Sequence, residues 1–117
     1  MKSLLFRLAR SPLAKLVIGW IFRFMSWAIP VERILETPSL MAFHHPAPSY
    51  KLHILIVPKR DYASLSHVPD SDFQRDLFVA VAQLVEKFGL EQSGYRLICN
   101  GGKYQDVPLL HFHLVSD

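Results

Sequence analysis

The chain has 117 residues, half of them hydrophobic, with eight Phe, four Tyr and two Trp, which suits one domain with one packed core and excludes both a two-domain protein and a disordered one. The single cysteine, Cys99, excludes an internal disulfide framework and gives no sign of an oxidising compartment. The formal charge of +3 is uneven: residues 1–30 hold Lys2, Arg7, Arg10, Lys15 and Arg23 with no acid (+5), while residues 31–117 hold eight bases against ten acids (−2), so no basic nucleic-acid surface spreads over the folded domain.

Ser11-Pro12 has the form of an N-cap followed by proline at the first helical position, and predicts a helix to about Ala28 that Pro30 stops. Leu13, Leu16, Val17, Trp20, Ile21, Phe24 and Ala28 form a wide apolar face, with Lys15, Gly19, Arg23 and Ser26 opposite. Several readings compete for this basic amphipathic segment, residues 1–28. A transmembrane span fits poorly, because Leu16 to Ile29 is fourteen residues with Arg23 inside it, against a need of about twenty. A cleaved signal peptide lacks a clear small-residue site. A helix lying in the plane of an anionic membrane surface fits the tryptophans and the basic face; packing of the apolar face on the domain or on a second subunit is the alternative. The location expected is cytoplasmic, peripheral at the inner face of a membrane under the in-plane reading.

Residues 29–117 form the expected domain. Arg33–Glu36 and Leu40–Phe43 predict a hairpin around Thr37-Pro38-Ser39, and His44 to Tyr50, with two prolines, is a loop. Leu52-His53-Ile54-Leu55-Ile56-Val57, closed by Pro58, predicts a central strand with His53 as its polar member. Asp72 to Gly89 is the main helix, with Phe73, Leu77, Ala80, Val81, Leu84, Val85 and Phe88 at helical spacing and Gly89 as its stop. Tyr95–Cys99 is a strand, Asn100-Gly101-Gly102 a tight turn, and a terminal strand runs from Val107. The order gives an α+β plan, an antiparallel sheet with one long helix.

The terminal strand carries the chemistry. Alternation sends Leu109, His111, His113 and Val115 to one face and Leu110, Phe112 and Leu114 to the other. Two imidazoles two residues apart on a strand stand about 7 Å apart, a span that suits a phosphate-sized group. A neutral imidazole is a competent nucleophile near neutral pH, and its neighbour holds or donates a proton. Two alternatives stand beside this: histidines that simply face solvent, and a zinc site completed by His53, for which no cysteine or supporting pattern is present.

Four segments in this order resemble the histidine-triad (HIT) superfamily of nucleotide hydrolases and transferases: Ile29-Pro30, Leu40-Met41-Ala42-Phe43-His44-His45, His53-Ile54-Leu55-Ile56-Val57-Pro58-Lys59-Arg60, and Asn100 through Val115. The family's His-x-His-x-His motif, led by Gln-x-Val, is matched by Gln105-Asp106-Val107 followed by Leu109, His111 and His113, with leucine at the first histidine position.

The resemblance implies an antiparallel HIT-like sheet, no metal and no cofactor. It also implies that His111 attacks the α-phosphorus of a nucleotide to give a nucleotidyl-histidine. His113 then holds a nonbridging oxygen, His53 supports the pair from behind, and Asn100 and Gln105 supply neutral donors. Phe43, His44 and His45 fall in the segment that lines the nucleotide site in the family; His45 stands where relatives place an acid that holds the ribose. The partners implied are a nucleotide or nucleoside phosphoramidate and a second copy in a homodimer, with no nucleic acid. The alternative function is a HIT-fold nucleotide-binding protein with little turnover, tethered to a membrane or partner by residues 1–28.

Overall fold

The computed structural model describes residues 32–69 and 71–117. The helix expected over residues 12–28 therefore lies outside the described residues. Strands β1 (Leu35–Glu36), β2 (Leu40–His44) and β3 (Leu52–Pro58) are followed by helix α1 (Asp72–Lys87), a short helix α2 (Leu90–Ser93), and strands β4 (Arg96–Ile98) and β5 (Phe112–Ser116). They form a five-stranded antiparallel sheet in the order β1-β2-β3-β5-β4. Among the described residues no helix is long and apolar enough to cross a membrane.

The sheet has two unlike faces because side chains alternate along each strand. Leu40 and Ala42 of β2, Ile54 and Ile56 of β3, and Phe112 and Leu114 of β5 face α1, which buries Phe73, Leu77, Ala80, Leu84 and Val85 against them. Met41, Phe43, Leu55 and Val57 form a separate buried group, the apolar part of the other face. The hairpin of β1 and β2 is fastened to the helix through Asp76, whose Oδ2 accepts the Ser39 hydroxyl at 2.7 Å. Gly89 ends α1 with φ of +64°, the left-handed geometry in which glycine carries no Cβ penalty. The chain turns there into α2, an element that the apolar spacing did not foresee.

The final strand is shorter than expected. It pairs with β3 from Leu52↔Ser116 to Ile56↔Phe112 and no further, so Leu109, Leu110 and His111 precede the ladder rather than belong to it. The physical reason is competition for backbone groups: Leu110 N–H donates to Tyr62 O at 2.8 Å, and Pro108 has no N–H to offer a neighbour. Alternation survives the departure, since Leu110 and Phe112 are buried while His111 and His113 are half-buried.

Candidate active site

Cross-strand register assembles the imidazoles on the sheet face opposite α1. Leu55 of β3 stands opposite His113 of β5, and His113 opposite Ile98 of β4. Phe43 of β2 stands opposite Leu55, so these four residues make one row. His53 lies two residues before Leu55 and faces the same way. His44 is opposite Ile54, on the helix side, where its ring meets Phe88 edge-on at 6.1 Å. A single-residue step along a strand reverses the face, so the structure does not bring His44 to the other histidines. His45 is the next residue, and it returns to their side. Its backbone N–H donates to His53 O at 2.8 Å, and its ring lies across His53 with centroids 4.3 Å apart.

The hydrogen bonds fix the proton on each ring, because a backbone N–H only donates and a carbonyl only accepts. Ser49 N–H donates to His53 Nδ1 at 3.1 Å, which puts the His53 proton on Nε2. That proton points at His113 Nδ1, 2.8 Å away, which puts the His113 proton on Nε2. His111 is polarised the other way: its Nδ1–H donates to Leu109 O at 2.8 Å, leaving a lone pair on Nε2. The His111 and His113 rings are 5.0 Å apart and nearly perpendicular, closer than the strand rise alone predicts. A lone pair beside a fixed N–H donor suits attack on an electrophilic centre that carries an oxygen.

Burial disfavours the charged form of His113, His45 and His53. Desolvation first, and then the neighbouring imidazoles, push His113 from the ordinary 6.5 down to about 4. The same causes push His45 to about 4, and burial lowers His53. Asp106 acts the opposite way on His113.

One nitrogen from each of His45, His53 and His113 lies within 4.8 Å of the other two, a spacing within range of a metal site, though not with the members expected from the strand pair alone. The polarity does not fit. Ala47 N–H donates to His45 Nδ1 at 2.9 Å, as Ser49 does to His53, so both rings carry their protons on Nε2. A metal-bound histidine instead donates its remaining N–H outward. This cluster presents protons where a cation requires lone pairs.

Gln105 departs from its expected use. Its side-chain nitrogen donates to Ala63 O at 2.7 Å and to Val107 O at 3.0 Å, so its hydrogens hold two loops together rather than standing ready as neutral donors. Asn100 is half-buried just beyond β4, two residues on from Ile98, which pairs with His113. The stacking of His45 on His53 was the feature that motif reading missed. The hairpin register contained it, because pairing His44 with Ile54 makes His45 and His53 the next cross-strand neighbours.

A five-stranded antiparallel sheet with one long helix on one face and ordered imidazoles on the other defines a small α+β domain of the histidine-triad type. Comparison with known proteins agrees: the HIT domain family model matches residues 27–117, and the chain belongs to that family. An uncharacterised HIT-like protein of Helicobacter pylori is 35% identical over 91 residues, covering 75% of this chain and 86% of the relative. The adenosine 5′-monophosphoramidase HNT1 of Candida albicans is 32% identical over 95 residues, covering 74% and 62% of the two chains. Among solved structures, a histidine triad protein from Clostridium difficile superposes with a TM-score of 0.73 at 30% identity, covering 86% of this chain and 89% of that one.

Proposed function

We propose that the protein hydrolyses or transfers nucleoside 5′-phosphoryl groups from phosphoramidate-type substrates through a covalent intermediate on His111. The observation that carries this reading is the opposed polarity of two adjacent rings, a bare Nε2 on His111 beside an Nε2–H on His113. Attack by His111 Nε2 on the α-phosphorus forms an N–P bond as the bond to the leaving amine breaks, and the amine takes a proton from solvent. Charge on the nonbridging oxygens is met by His113 Nε2–H, a preorganised donor. Water then attacks phosphorus, the His111–phosphorus bond breaks, and a nucleoside monophosphate leaves with the imidazole restored. His53 keeps the His113 proton in place from behind. Phe43 contributes to the apolar floor, and Asn100 lies two residues beyond the end of β4. The similarity to a monophosphoramidase supports the substrate class.

The leucine at position 109 is compatible with this chemistry because the group that orients His111 is the Leu109 backbone carbonyl. A second reading, nucleotide binding with little turnover, is favoured by one observation: the Gln105 amide hydrogens are already engaged. The two separate on incubation of the purified protein with an adenosine 5′-phosphoramidate of a simple amine. Release of adenosine monophosphate that disappears in His111→Ala supports the first; nucleotide binding without His111-dependent release refutes it.

Two further elements belong to this proposal. A homodimer is supported by β4, an edge strand among the described residues, where Leu97 is 39% exposed and Tyr95, just before the strand, 40%. Attachment of residues 1–28 to an anionic membrane surface is supported by their charge and apolar pattern; flotation with anionic liposomes, unchanged on deleting those residues, would refute it.

A further inference from the structure

Hydrolysis as proposed uses His111, His113 and His53, and leaves the fourth imidazole of the cluster, His45, without a task. Its placement is specific. The ring covers His53 at 4.3 Å with planes 33° apart, and faces His113 at 6.2 Å with planes 22° apart. Its orientation is set by the Ala47 N–H on Nδ1, two residues before the Ser49 N–H that orients His53. One proline-flanked loop therefore fixes both rings.

We propose that His45 is a positioning residue: laid across the His53–His113 hydrogen bond, it screens that bond from water without adding negative charge, so the proton between the two rings keeps one direction into mildly acidic solution. The inference rests on the reading of His113 as the phosphoryl donor. Its physical content is simple. If His113 gains a second proton, on Nδ1, it meets the Nε2–H of His53 head-on, the hydrogen bond fails, and His113 is no longer held. A carboxylate at position 45 would favour that second proton, because an opposite charge within about 4–6 Å stabilises the imidazolium by one to three pH units. An uncharged ring does the reverse.

The groups around the pair are few among the described residues. His113 meets His53 from β3, His45 from the β2–β3 loop, and His111 and Asp106 from the β4–β5 connection. His53 also meets the edge of the Tyr50 ring at 5.5 Å. Asp106 is the only acid in this set, so the balance on His113 hangs on what occupies position 45.

The test compares the full chain with His45→Asp, His45→Asn and His45→Phe. The readouts are the acidic limb of the pH profile of kcat/KM, each variant normalised to its own maximum, and the titration of His113 by nitrogen-15 NMR without substrate. His45→Asp is expected to move both upward by at least one pH unit, which at pH 5 is at least about a twofold relative loss and deepens toward about tenfold below pH 4. His45→Phe keeps the wild-type limb, and the uncharged His45→Asn moves it less than His45→Asp does. Should His45→Asp not fold, His45→Ala replaces it, with a limb raised relative to His45→Phe. The NMR titration separates this inference from the proposed function: absent turnover with the expected His113 shifts refutes the function alone. Equal His113 titrations in the wild-type, Asp and Phe forms overturn the inference.

Discussion

Replacing His53 by leucine isolates the contribution of the His53–His113 hydrogen bond. His53 is 6% exposed, so leucine enters a site that already excludes water, and two hydrogen bonds are lost. The Ser49 N–H can turn to solvent, because Ser49 is exposed. His113 Nδ1 has no such substitute for the donor it loses at 2.8 Å, and its ring then samples both neutral tautomers. A buried hydrogen bond of this kind contributes about 0.5–1.5 kcal/mol, which corresponds to about 2–10-fold in rate where it orients a reacting imidazole. His53→Leu is therefore expected to lower kcat by about 2–10-fold, with a small effect on KM. His53→Gln supplies the control: its carbonyl oxygen accepts from Ser49 N–H while its amide donates to His113, so it is expected to recover most of the loss. The assay is steady-state release of adenosine monophosphate from a phosphoramidate, with circular dichroism to confirm folding. Wild-type kcat in His53→Leu, or equal loss in His53→Leu and His53→Gln, would refute this role for the hydrogen bond.

Leu109→His, which under the resemblance would complete the motif, is expected to change kcat less than about tenfold, because the carbonyl that orients His111 belongs to the backbone in either case; a gain of several orders of magnitude in the same assay would contradict this. Leu84→Ala, at a position 1% exposed between helix and sheet, is expected to cost about 2–5 kcal/mol in a urea titration. Stability should also fall as pH drops from 6.5 toward 4. The unfolded chain protonates His45 and His113 near 6.5, whereas the folded chain resists until about 4, so protons bind the unfolded state first. The loss by pH 5 is expected to be about 2 kcal/mol for the pair, given that both rings keep some contact with water, and a urea midpoint unchanged between pH 7 and pH 5 would contradict it.

Where a short-range physical rule decides the outcome, the sequence was informative. The helix from Asp72 and its stop at Gly89 follow from apolar spacing and a glycine that takes positive φ. The face shared by His111 and His113 follows from alternation. What could not be read from single segments were the outcomes of competition between segments. Whether residues 109–111 join the ladder depends on Tyr62 O capturing the Leu110 N–H. Whether Gln105 faces a substrate depends on the Ala63 carbonyl, 42 residues away. His44 and His45 look alike as adjacent loop histidines, and only the β2–β3 register puts them on opposite faces.

The same distinction bears on the proposed site, in which the resemblance sets Leu109 at the first motif position. The proton on each ring is dictated by backbone atoms: the Leu109 carbonyl for His111, the Ser49 N–H for His53 and, through it, His113, and the Ala47 N–H for His45. Backbone groups persist through side-chain substitution, provided the local path of the chain is kept. Leu109 therefore supplies the acceptor that points His111 whatever its side chain. The segments most sensitive to change are then the loop from His45 to Lys51 and the approach to β5, because a shift in either would reverse a donor and an acceptor rather than merely weaken a contact.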